Sequence, residues 1–70
     1  MTFEYMENHL NNVKQYGVTV DTIILELEKD VERFTREINS GNNVEAFRKE
    51  RAMFLESITD WKTYKTAKGL

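Results

Sequence analysis

Apolar residues recur along this chain at intervals of three and four. The first series is Phe3, Met6, Leu10 and Val13. The second is Val20, Ile24, Leu27, Val31, Phe34 and Ile38. The third is Val44, Phe47, Phe54, Ile58 and Trp61, flanked by Met53 and Leu55. A backbone of about 3.6 residues per turn brings each series onto one stripe, whereas a strand would scatter it over both faces. The pattern predicts helices over about 2–16, 20–39 and 43–66. In the second series the alternation of four and three is the rhythm of closely packed helices. Ile23 and Leu25 widen its apolar surface near the start, which predicts more than one neighbour there.

Each break has a chemical cause. Gly17 can take the positive φ that closes a helix, with Val18 completing the hydrophobic contact of a Schellman-type cap. Thr19 or Asp21 can accept a hydrogen bond from a free N–H at the next helix start. Ser40-Gly41 ends the second segment. Asn42, with Glu45 three residues on, is compatible with a capping box, and Asn43 is an equally good cap. Lys62, Lys65 and Lys68 complement the dipole at the end of the third helix, and Glu45 does so at its start. Gly69-Leu70 reads as a frayed end.

Short connections make neighbouring helices antiparallel. The expected fold is all-α: one domain over residues 1–70, three helices in an up-down-up arrangement, the second and third forming an αα-hairpin. Its register places Ile38 near Val44, Phe34 near Phe47, Leu27 near Phe54 and Ile24 near Ile58. Arg51 falls where the third stripe asks for an apolar residue, opposite Val31. Its stem can pack while the guanidinium reaches Glu28 or Glu32. Alternatively it fixes register or partner choice, as a polar group in a helical seam can.

Composition sharpens this picture. Seventy residues with no Cys and no Pro must build a core near the lower size limit without disulfides or thiolate metal sites. Proline's absence favours uninterrupted helices. The N-terminus has neither a basic leader nor an apolar run, and the longest apolar run is Ile23-Ile24-Leu25. Neither a signal peptide nor a membrane span is expected, and the reading is cytoplasmic.

A formal net charge of −2 argues against a general nucleic-acid binder, but it averages an asymmetry. Residues 1–41 hold four basic and eight acidic side chains, and residues 42–70 hold six basic and four acidic ones. The two halves are therefore electrostatically complementary, within one chain or between two copies.

Catalytic chemistry finds little support. Ser40 and Ser57 stand in no nucleophile-elbow context, and the three glycines are isolated at helix ends and form no phosphate loop. Glu26, Glu28, Asp30, Glu32 and Glu37 crowd the second helix but lie mostly off its stripe. The Glu-x-x-His pairing of a di-metal bundle is missing, because Met6 precedes His9 by three. The expectation is no enzyme activity, no cofactor and no metal.

Two binding readings remain. The first is a helical protein–protein interaction module, acting as a homodimer, that binds and modulates a protein partner; Arg51, Met53, Leu55, Trp61 and Tyr64 are its candidate interface. The surplus apolar surface of the third helix motivates the dimer. The second is a small DNA- or RNA-binding regulator in which Arg48, Lys49, Lys62, Lys65 and Lys68 contact phosphates.

The Tyr16-Gly17-Val18 break between two helices resembles that of small helical-hairpin phosphatases. Their Ser-Gln-x-x-Asp signature has no counterpart in Leu25-Glu26-Leu27-Glu28-Lys29-Asp30, so no activity carries over. In general character, the short, acidic, proline-free helical chain resembles many small phage or mobile-element proteins that act by binding a host factor.

Overall fold

A computed structural model describes all residues, Met1–Leu70. Helix α1 spans Phe3–Val13, α2 spans Val20–Asn39 and α3 spans Val44–Lys68, with no strands. The all-α, three-helix arrangement read from the spacing is the one observed.

The helix ends show how local chemistry sets these limits. Thr2 caps α1, its Oγ1 accepting from the Tyr5 N–H at 3.1 Å. The α-helix stops at Val13, three residues short of expectation, and Lys14–Tyr16 tightens into one 3₁₀ turn. Tightening pairs carbonyls that an α-helix end would leave free. Gly17, at φ +77°, closes the turn with its N–H on the Lys14 carbonyl at 3.0 Å. Of the two candidate caps for α2, Thr19 serves, with its Oγ1 accepting from the Thr22 N–H at 3.2 Å.

Two expectations about caps are corrected. Neither Asn42 nor Asn43 caps α3 through its side chain. Asn43 adopts the left-handed conformation, φ +42° and ψ +47°, whereas a side-chain cap needs extended backbone. The Asn42 amide instead donates back to Glu37 Oε2 at 3.1 Å. Gly69-Leu70 is likewise no frayed end. The Leu70 N–H bonds to the Lys65 carbonyl at 3.0 Å and the Gly69 N–H to the Thr66 carbonyl at 3.2 Å. These are the paired bonds of a Schellman motif. The same motif ends α2, through Asn42 to Glu37 and Gly41 to Ile38.

Helices α2 and α3 pack as a hairpin, and α1 lies beside the C-terminal half of α3. The Met1 amino group meets Asp60 at 3.4 Å, Phe3 meets Tyr64 edge-to-face at 5.5 Å between centroids, and Glu7 meets Lys68 at 3.8 Å. These pairings climb both helices in the same order, so α1 runs parallel to α3 and the topology is up-down-up.

The molecule measures 39 × 22 × 17 Å, and its apolar interior is split along the long axis. At the three-helix end, Met6, Val20, Ile24, Ile58, Trp61 and Tyr64 are buried together, with Leu10, Ile23, Leu27 and Val31 packed around them. At the two-helix end, Phe34 is buried between Phe47 and Phe54, at 5.6 and 5.1 Å between ring centroids. The expected Phe34–Phe47 pairing is therefore present, and Ile24 and Ile58 share the larger cluster.

Candidate interaction surface

The five residues expected at an interface separate into three environments. Trp61 and Tyr64 are each only 3% exposed. Trp61 packs edge-to-face on Tyr64 at 5.7 Å and lies against His9 at 6.0 Å. Both rings are thus the platform on which α1 rests, and neither is open to a second molecule. The interface reading expects Tyr64 at the surface. It is buried because it follows Trp61 by three residues, which puts both on the flank of α3 that α1 covers. That interval was legible in the sequence; the position of α1 over it was not.

Arg51 is half-buried in the hairpin seam. Its Nη1 donates to Thr35 Oγ1 at 3.2 Å, and Thr35 donates to the Val31 carbonyl at 2.9 Å. The expected ion pair with Glu28 or Glu32 does not form. Thr35 lies closer along the seam, and its hydroxyl can accept from the guanidinium while donating to its own helix.

Met53 and Leu55 are exposed, at 61% and 48%. They occupy different faces of α3. Leu55 stands on the flank opposite α1, whereas Met53, seven residues before Asp60, lies on α1's flank beyond the start of that helix.

The basic residues do not make one surface. Lys65 pairs with Asp21 at the start of α2. Lys68 reaches Glu7 at 3.8 Å and lies 5.8 Å from the centre of the Tyr64 ring. Both cations tie the end of α3 to the other helices. Arg48, Lys49 and Lys62 have no carboxylate partner. Among these, Arg48 and Lys62 are two heptads apart and share a flank, while Lys49 points away from it.

That flank is the open edge of the hairpin. Along α3 it carries Arg48, Leu55 and Lys62, each seven residues from the next; along α2 it carries Asp21, Glu28 and Thr35 with the same spacing. Midway along, Val31, Leu55 and Ile58 floor a shallow groove walled by Glu28 and Glu32 and closed at one end by Lys62. Its volume is about 280 Å³. The arrangement can accept an apolar side chain and offers charges of both signs at the rim. A periodic line of three edge positions was readable from the chain, but only the placement of α1 shows which edge stays uncovered.

A second groove lies at the base of the bundle, where Leu10, Val18, Val20 and Leu70 meet Lys14, Asp21 and Lys65. No group of three or more His, Asp or Glu side chains is close enough to hold a metal ion. No helix is long and apolar enough to cross a membrane. Comparison of the chain with known families, with curated proteins and with solved structures finds no match.

Proposed function

We propose that this chain is a helical interaction module that binds and modulates a protein partner, and that it works as a homodimer. The observation that carries the reading is the uncovered edge of the α2–α3 hairpin, with exposed Leu55 above an apolar groove rimmed by carboxylates and a lysine. Apolar centres with polar rims are the usual anatomy of protein interfaces. The small interior adds to this. Only seven of the 70 residues are buried, and short chains with small cores commonly gain stability by association.

Affinity capture with the tagged full chain from the native host lysate, run with and without nuclease, tests the partner. Retention of a discrete protein after nuclease treatment is expected. Loss of every bound protein after nuclease would overturn the reading in favour of a nucleic-acid regulator. In that alternative, phosphate neutralisation would make binding fall steeply with salt. The structure weighs against it, because Lys65 and Lys68 are engaged with Asp21 and Glu7 and, of the remaining candidate cations, only Arg48 and Lys62 share a flank. At about 150 mM salt, no gel shift of duplex DNA or structured RNA is expected from the chain at tens of micromolar.

A further inference from the structure

We infer that a second copy of this chain docks on the open hairpin edge, face to face, about a two-fold axis running parallel to α2 and α3. The inference rests on the homodimer reading above and specifies its surface and symmetry.

Helix α2 carries six acidic and three basic side chains, and α3 carries four acidic and six basic ones. The open edge concentrates that difference, with Glu28 and Glu32 on the α2 side and Arg48 and Lys62 on the α3 side; Asp21 is already paired with Lys65. A symmetric dimer uses the same patch twice, so the patch must be complementary to itself. Two face-to-face arrangements exist. An axis perpendicular to the helices stacks α2 on α2 and α3 on α3, acid against acid and base against base. An axis parallel to the helices stacks α2 of one copy on α3 of the other. Only the second brings opposite charges together.

Geometry then follows without further choice. Rotation about an axis parallel to the helices leaves every residue at its own height. Each α2 residue therefore meets the level of α3 that it already has beside it in its own hairpin. Glu28 lies level with Leu55 and Ile58, across the groove they share. In the dimer it meets that same level of the second copy, within about one helical turn, some 5 Å, of Lys62. The two Leu55 side chains cover each other's grooves, Ala52 and Thr59 beside Leu55 are small enough to let the helices approach, and every neighbouring helix pair in the resulting four-helix core is antiparallel. A standard interface buries roughly 800 Å² per partner, about a sixth of the 5054 Å² that this chain exposes.

Sedimentation equilibrium across a concentration series, with far-UV circular dichroism on each sample, tests this. The wild-type chain should sediment as a dimer at tens of micromolar. Leu55→Arg should raise the dissociation constant at least tenfold. The double variant Glu28→Lys/Glu32→Lys should do the same, as should Arg48→Glu/Lys62→Glu. The quadruple variant combining all four reversals should dimerise again, because acid and base have merely exchanged helices. An unfolded double variant keeps the test decisive, since recovery of helix and dimer together in the quadruple variant carries the same conclusion. A wild-type monomer at 100 μM would overturn both the surface and the homodimer reading, leaving partner binding intact. A dimer indifferent to the double reversals would overturn this surface alone. A quadruple variant that stays monomeric while folded would overturn the symmetry.

Discussion

At the residue scale, three side chains carry measurable consequences. Trp61 is the single tryptophan, buried beneath α1 in the larger cluster. Replacing it by Ala should cost about 3–5 kcal/mol, the usual loss for a large buried aromatic. A chain this short has on the order of 4–10 kcal/mol of total stability, so W61A should lose most of its cooperative thermal transition by circular dichroism. Asn43 holds a left-handed backbone that L-residues with a Cβ resist. Asn43→Ala should lower stability by about 1 kcal/mol in urea denaturation, while Asn43→Gly should raise it slightly. Arg51 makes one hydrogen bond, to Thr35, in a mostly apolar seam. Thr35 keeps its bond to the Val31 carbonyl when the guanidinium is gone. Replacing a half-buried polar group in such a seam by an apolar one of similar size is often favourable, so Arg51→Leu should raise the urea midpoint by the equivalent of about 1 kcal/mol. A fall would mean that Arg51 supports the hairpin through more than this bond.

At the element scale, α2 and α3 were largely legible in the chain and α1 only in part. The extents of α2 and α3 follow from apolar intervals of three and four, interrupted in α3 only at Arg51, and ended by glycines with positive φ. Cap identity was harder. Thr19 and Asp21 are both good caps, and the distinction depends on which N–H the backbone path presents. For Asn42 and Asn43 the chain's preference for an αL residue overrode the side-chain cap. Helix α1 has apolar spacing but no stated partner, since nothing local says which flank of the hairpin it will cover. Hence Tyr64 reads as an interface residue yet is buried, and the open edge bearing Leu55 is not distinguishable in the sequence from the covered one. What fastens α1 and the start of α2 to α3 is a combination of buried rings, the Met1 amino–Asp60 contact and two lysine ion pairs, Lys68–Glu7 and Lys65–Asp21. These pairs are largely exposed, and exposed pairs contribute little. A double-mutant cycle on Lys65→Ala and Asp21→Ala should give a coupling below about 1 kcal/mol. The apolar docking of Met6, Phe3 and Tyr64 should account for the rest.

At the scale of the whole molecule, the two ends are unequal. Three helices surround one cluster, and two helices alone enclose Phe34. Local opening is cheapest where few apolar contacts oppose it. In heavy water, backbone amides near Ile38, Val44 and Phe47 should therefore swap hydrogen for deuterium through partial opening. Those flanking Ile24 and Ile58 should wait for the whole chain to unfold. A cell's proteases would find their first cut near Ser40–Asn43, and whatever clasps the slender end would lengthen the protein's lifetime.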